Sequence, residues 1–223
     1  MSKKGTFFFS FLFFVCGIIA FVLVLVPQNL HFNTLFGEFK AIKTQKIKTL
    51  TRADLVNLPN LEIGDLVFRL GDEFDSVLIS QVSDFKYSHI AIVVNLKPLT
   101  LLHATTSGES GGENAVILSE FDEFLSHARS LGVARINFLS QTQKNELVQN
   151  LKAKLGEEFI LAKSTEPNLY CTTLIEREIF KIYPNFTPKY TQINAPIFNG
   201  LYLTPKAFWE SRNIKIIYEM IDK

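Results

Sequence analysis

Two residue types in this chain, cysteine and histidine, can supply a nucleophile and its base. Of the two cysteines, Cys16 falls in a long apolar stretch and Cys171 lies far downstream. Asn168 is a candidate N-cap, which places Cys171 in the first turn of a helix. Unpaired N–H groups and the helix dipole stabilise a thiolate there. Cys171 is therefore a candidate nucleophile, although a buried structural cysteine fits the same pattern.

Two of the four histidines belong to neighbouring predicted strands. His89 begins the apolar run 89–94, and His103 lies in the next strand, 99–105. If the two strands pair as a hairpin with residue numbers summing to about 193, the two rings lie close together at one end of the sheet. A thiol, a base and a third polar residue are what nucleophilic catalysis by cysteine requires. The remaining histidines have contexts that suggest no catalytic role: His31 and His127.

The elements that must position these residues predict an α+β domain with a central antiparallel sheet. Apolar and β-branched runs predict strands at 66–70, 89–94, 99–105, 116–118, 133–138 and 214–218. Helical spacing of apolar residues predicts helices at 72–83, 140–155 and 170–182, with a short one after the capping-box pattern 119–122. The glycine-containing segment 107–114 reads as a loop.

The N-terminal segment 7–26 has no charged residue and no proline. Twenty residues at about 1.5 Å each span the hydrocarbon core of a bilayer, so a transmembrane helix is expected. Lys3 and Lys4 precede it and place the remainder on the outer side of the membrane. A cleavable signal peptide is the alternative. The predicted organisation is an anchor at 1–26, a basic connector at 27–53 and a catalytic domain at 54–223.

The overall composition excludes one class of partner. The formal net charge is +1, so the chain lacks the excess of basic residues that nucleic-acid binding requires. No cofactor is expected. A metal site formed by His89, His103 and Glu109 is not expected either, because no closely spaced ligand motif supports it.

Four segments resemble, in order and spacing, the YiiX-like family of permuted papain-like proteins in the NlpC-type superfamily of amidases and peptidases. They are GDLVF at 64–68, YSHIAIV at 87–93, LHA at 102–104 and YCTTLI at 170–175. The resemblance covers roughly residues 62–180. In permuted members the histidine strand precedes the cysteine helix, as it does in this chain.

The resemblance implies that Cys171 is the nucleophile, His89 the general base and His103 the residue that orients His89. The chain departs from the family at two positions. The third catalytic position usually carries Glu in the family and is His103 here. The family also usually carries Glu two residues after the cysteine, where this chain has Thr173. A histidine at the third position is normal in the unpermuted amidases and in the lecithin–retinol acyltransferase relatives.

The expected function is a cysteine hydrolase that cleaves an amide bond of the peptidoglycan type through an acyl-enzyme thioester on Cys171. The membrane anchor places the catalytic domain on the outer, periplasmic or extracytoplasmic, side of a single-pass protein. Two alternatives stay open. The same site can act on a lipid acyl ester or thioester, or the domain can be a degenerate papain-like module that only binds a ligand.

Overall fold

The computed structural model describes residues 48–106, 114–195 and 198–220, and its main element is a six-stranded antiparallel sheet. The strands, in chain order, are β1 (Leu66–Gly71), β2 (His89–Leu96), β3 (Leu99–Thr105), β4 (Ala115–Glu120), β5 (Ala128–Ile136), β6 (Thr191–Asn194), β7 (Asn199–Tyr202) and β8 (Ile214–Glu219). The large sheet has the order β4-β3-β2-β1-β5-β8, while β6 and β7 form a separate hairpin.

Five α-helices are described. They are α1 (Phe74–Val82), α2 (Phe121–Ser126), α3 (Gln141–Lys152), α4 (Cys171–Ile182) and α5 (Pro205–Trp209). The start of α3 follows the capping-box rule, because the Ser140 hydroxyl accepts the backbone N–H of Gln143 and the Gln143 side chain accepts the N–H of Ser140. The start of α5 has Pro205 in its first turn, where the missing N–H costs no hydrogen bond.

The large sheet is covered on both faces, so alternate residues of its central strands enter two different apolar clusters. On β1, Leu66 and Phe68 pack with the apolar sides of α3 and α4. Val67 lies on the opposite face with Phe124 of α2. Leu50 packs in this second cluster, and its N–H donates to the carbonyl of Ala128 at 2.8 Å. A continuous apolar run such as 90–94 is what burial on both faces requires.

The predicted α+β class and large antiparallel sheet are confirmed. The predicted hairpin register is one residue off: Ile92 pairs with Leu102 and Val93 with Leu101, sums of 194. That register extends to Ala91 opposite His103, so His89 and His103 share a face as diagonal neighbours.

The capping-box prediction at 119–122 is wrong. Ser119 is a residue of β4, and α2 has Glu120 as its N-cap without a side-chain cap. The extended strand carries the Ser119 side chain away from the helix start, so its hydroxyl serves a different partner.

The predicted anchor 1–26 lies outside the described residues, as do 107–113 of the predicted loop. Among residues 48–106, 114–195 and 198–220, no helix combines the length and the apolar character needed to cross a bilayer.

Candidate functional site

The two histidines of the predicted site are in direct contact. Nε2 of His89 lies 2.9 Å from Nδ1 of His103, and the two rings meet edge to face with centroids 5.0 Å apart. His103 is fully buried, whereas His89 is half-buried at the start of β2. Because Nε2 of His89 is engaged by His103, Nδ1 is the ring nitrogen of His89 left to serve a thiol.

The second ring nitrogen of His103 contacts Ser119. Nε2 of His103 lies 3.1 Å from the Ser119 hydroxyl oxygen. Ser119 pairs across the sheet with Leu101, two residues before His103, so both side chains point to the same face. The result is a chain of three polar groups that runs from β2 through β3 to β4. Sequence reasoning missed Ser119 because its pattern matched a helix cap.

Two proton arrangements satisfy this chain of contacts. In one, His89 donates from Nε2 to His103, and His103 donates from its own Nε2 to Ser119, which leaves Nδ1 of His89 as a proton acceptor. In the other, Ser119 donates to His103, His103 donates to His89, and Nδ1 of His89 carries the proton. The first arrangement is the one a general base needs.

A buried arginine faces His89 across the sheet. Arg69 of β1 pairs with His89 of β2 and is 1% exposed. Its Nη1 donates to the carbonyl of Phe124 at 2.9 Å, and the guanidinium carbon lies 4.0 Å from the centre of the Phe124 ring. The pKa of His89 is held well below 6.5, first because burial disfavours the charged ring and second because Arg69 repels it. His89 is therefore neutral at pH 7.

Cys171 is the first residue of α4, and its thiol is not part of a disulfide. The preceding Tyr170 has the extended backbone of an N-cap. The prediction that Asn168 caps this helix is wrong, because its side-chain amide donates to the carbonyl of Glu166 at 2.8 Å and its oxygen accepts from Arg177. Cys171 still stands in the first helical turn, where the backbone N–H groups have no intrahelical partner.

Thr173 supplies the contact that holds the start of α4. Its hydroxyl oxygen accepts the backbone N–H of Tyr170 at 3.0 Å and lies 3.2 Å from the carbonyl of the same residue. The position that usually carries Glu in the YiiX-like family is thus a buried helix-capping residue in this chain.

Tyr170 and Thr172, the residues on either side of Cys171, both form hydrogen bonds with the backbone of Leu203. The N–H of Leu203 donates to the phenolic oxygen of Tyr170 at 2.9 Å, and the Thr172 hydroxyl donates to the carbonyl of Leu203 at 2.6 Å. Burial raises the pKa of Tyr170, so its hydroxyl stays protonated. Leu203 directly follows β7, and these two bonds tie the β6–β7 hairpin to the start of α4.

Cys171 and His89 line the same cavity. Cys171 belongs to the apolar cluster on the α4 face of the sheet, and Phe124, whose ring is in contact with His89 and His103, belongs to the cluster on the other face. Residues at the start of β2 and the end of β3 line the cavity, among them His89 and Thr105. A thiol at a helix start and a neutral imidazole at one cavity are the groups that acyl transfer requires.

The side chain of Tyr87, two residues before His89, is held in the core of the domain. Its hydroxyl donates to the carbonyl of Leu131 at 3.1 Å, and its ring packs against Trp209 with centroids 5.0 Å apart. The ring is fully buried in the main core. The backbone N–H groups at the start of α4 are better placed for an oxyanion.

Comparison with known proteins identifies a shared fold. No protein-family model and no curated protein sequence matches the chain. Among solved structures, the crystal structure of metalloprotein yiiX from Escherichia coli O157:H7 matches with a TM-score of 0.59 at 16% sequence identity. The match covers 71% of this chain and 97% of that one. At this identity the similarity shows the fold alone.

The yiiX protein is described as a metalloprotein, which raises the question of a metal in this chain. In the described ranges 48–106, 114–195 and 198–220, no three His, Cys, Asp or Glu residues are grouped closely enough to hold a metal ion. These residues do not supply the three or four protein ligands of an ordinary zinc site.

Proposed function

We propose that this chain is a cysteine hydrolase in which Cys171 attacks a carbonyl carbon and holds the acyl group as a thioester. The observation that carries the proposal is the shared cavity of Cys171 and His89, with His103 2.9 Å behind His89. The order of the residues, histidine strands first and cysteine helix last, is that of a permuted papain-like fold. The fold shared with yiiX supports this assignment.

In the proposed reaction, Nδ1 of His89 takes the thiol proton while Nε2 donates to His103. The thiolate forms a bond to the carbonyl carbon, and N–H groups of the first turn of α4 stabilise the oxyanion. His89 returns the proton to the leaving group as its bond to carbon breaks. Water, activated by the same ring, then hydrolyses the thioester and restores the thiol. Ser119 acts through His103, because its hydroxyl can accept the proton on Nε2 of His103 and so supports the arrangement in which Nδ1 of His89 is the acceptor.

Two substrate classes suit this chemistry, and they differ in the group that the cavity must accept. A peptidoglycan-type amide presents a stem peptide with carboxylates. A lipid ester or thioester presents an aliphatic chain. The described part of the cavity lining is largely apolar, which favours the second class. We also propose that residues 1–26 anchor the domain at the outer side of the membrane, where both classes are found.

The rate at which Cys171 is alkylated tests the nucleophile directly. The full-length protein is treated with iodoacetamide at neutral pH, and peptide mass spectrometry reads modification at Cys171 separately from Cys16. An activated thiol reacts faster than glutathione, and His89→Ala lowers the rate to that of an ordinary thiol. His127→Ala is the matched control, because His127 contacts Asp72 and lies outside the site.

Labelling of Cys171 at the rate of an unactivated thiol, unchanged in His89→Ala, contradicts the proposal and leaves a papain-like binding domain as the better description. Cys171→Ser in the same protein abolishes turnover of an activated ester and leaves the thermal unfolding midpoint unchanged.

A further inference from the structure

The cavity beside Cys171 has an apolar wall that the catalytic residues do not use. Half-buried Ile79 and Val82 of α1 belong to this lining, as do Ile193 and Tyr202 of the β6–β7 hairpin. Ile193 and Tyr202 belong to a small apolar cluster, separate from the two that cover the large sheet, against which Val82, Leu161 and Phe198 pack. All five of these residues line the cavity.

The charge of the wall limits what can enter. Among the described residues that line the cavity, the only permanently charged side chain is that of Asp75, which is exposed, and none is lysine or arginine. A substrate carboxylate next to Cys171 would lose its hydration without gaining a cationic partner. An aliphatic chain has no charge that loses hydration on entry, and its burial removes apolar surface from water. The wall therefore disfavours an acidic stem peptide.

The wall is tied to the nucleophile through the backbone of Leu203, which Tyr170 and Thr172 hold on either side of Cys171. A group covalently attached to Cys171 consequently has the hairpin beside it. If the alkyl chain of the acyl group extends from the carbonyl carbon toward the hairpin, it lies between α1 and the hairpin.

From these observations we infer that the cavity between α1 and the β6–β7 hairpin is an acyl-binding site and that the substrate is an ester or thioester of an uncharged aliphatic acid. The inference rests on the proposed function and specifies its substrate. The Cys171 sulfur forms a bond to the carbonyl carbon, the ester C–O or thioester C–S bond breaks, and the alcohol or thiol leaves with the proton from His89. Water then releases the fatty acid.

The test uses the full-length protein and p-nitrophenyl esters from acetate to decanoate. We expect kcat/KM to rise about fourfold for each methylene that enters the cavity, the gain expected for removing one CH2 from water. Leu161→Phe narrows the cavity and lowers the decanoate-to-acetate ratio of kcat/KM at least tenfold. Leu155→Phe, the same change at an exposed leucine outside the cavity, leaves the ratio unchanged.

A second measurement separates this inference from the chemistry. Decanamide and acetamide are titrated calorimetrically into Cys171→Ala protein, which cannot react. Binding of decanamide but not acetamide, weakened by Leu161→Phe, supports the acyl site even if the proposed catalysis fails. Chain-length-independent turnover, Cys171-dependent cleavage of peptidoglycan fragments, or equal binding of the two amides overturns the inference, while activated alkylation of Cys171 still upholds the nucleophile.

Discussion

Arg69 and His89 form a cross-strand pair between β1 and β2, with the guanidinium buried against the Phe124 ring. Burial of the His89 ring disfavours its protonated form, and the fixed positive charge of Arg69 adds to this effect. His89, the general base of the proposed reaction, is therefore neutral at a pH where an ordinary histidine is partly charged.

This relationship predicts the acid limb of the pH–rate profile. In the wild type, kcat/KM should begin to fall only well below pH 6.5, because the pKa of His89 is depressed. Arg69→Met removes the repelling charge and moves the acid limb to higher pH. Arg69→Lys keeps the charge and is the control, so its limb stays near that of the wild type. If kcat/KM falls at the same pH in the wild type and in Arg69→Met, the electrostatic role of Arg69 is contradicted.

The same shift predicts a pH dependence of stability. A histidine whose pKa is lower in the folded than in the unfolded state binds its proton mainly after unfolding. The free energy of unfolding should therefore fall as pH drops below 6.5, with a slope of at most about 1.4 kcal/mol per pH unit from this one proton. Urea unfolding of the wild type and His89→Gln between pH 7.5 and 5 measures it.

The difference between the two proteins isolates the contribution of His89 from that of every other titratable group, since both proteins share those groups. His89→Gln should lose less stability on acidification than the wild type. Parallel curves for the two proteins would show that the pKa of His89 is not depressed in the folded state.

Ser119 should affect catalysis through His103. Ser119→Ala removes the hydroxyl that contacts Nε2 of His103 and is expected to lower kcat roughly two- to tenfold, the effect of one lost hydrogen bond. Ser119→Thr keeps a hydroxyl and should recover most of the loss. Ser126→Ala removes an exposed hydroxyl, which donates to the carbonyl of Glu123, and is the matched control.

A purely structural role for Ser119 would leave the pH–rate profile unchanged in shape. We expect instead that Ser119→Ala alters it, because Nε2 of His103 then loses its acceptor and the arrangement in which Nδ1 of His89 accepts a proton is disfavoured. If Ser119→Thr loses as much activity as Ser119→Ala, the hydroxyl of Ser119 has no role in catalysis.

Thr173 should matter for stability rather than for acid–base chemistry. Thr173→Val keeps the shape of the side chain and leaves the buried N–H of Tyr170 without its acceptor, a change expected to cost about 1–3 kcal/mol. Thr173→Ser retains the acceptor and should cost less. Chemical denaturation measures both variants. Alkylation of Cys171 should persist in folded Thr173→Val, and its loss would indicate a direct role of the hydroxyl at the thiol.

The sequence predicted the parts of the site that depend on local pattern. The apolar run after His89 indicated a buried strand, and the spacing of apolar residues after Cys171 indicated a helix; the structure contains both. The proximity of the two histidines followed from hairpin geometry, since neighbouring strands with a short turn have few possible registers. A one-residue error in that register left both rings at the same end of the sheet.

The parts that the sequence did not reveal depend on contacts between distant segments. Ser119 satisfied a local rule for helix capping, yet the pairing of β4 with β3 directs its hydroxyl to His103. Arg69 is a charged residue within an apolar strand. Its role could not be predicted, because it depends on contact with Phe124, which is distant in sequence. The proposed acyl-binding site includes the β6–β7 hairpin. Its strands contain few apolar residues, so the sequence only weakly predicts them.

The two hydrogen bonds to Leu203 use its backbone and not its side chain. Side-chain substitutions in the β6–β7 hairpin can therefore change the shape of the cavity. The position of the hairpin relative to the Cys171 sulfur is preserved, because the backbone hydrogen bonds remain. In the proposed enzyme, substrate choice and bond-breaking are thus encoded in separable segments of the chain. A library confined to the hairpin offers a route to new chain-length preferences with the catalytic residues intact.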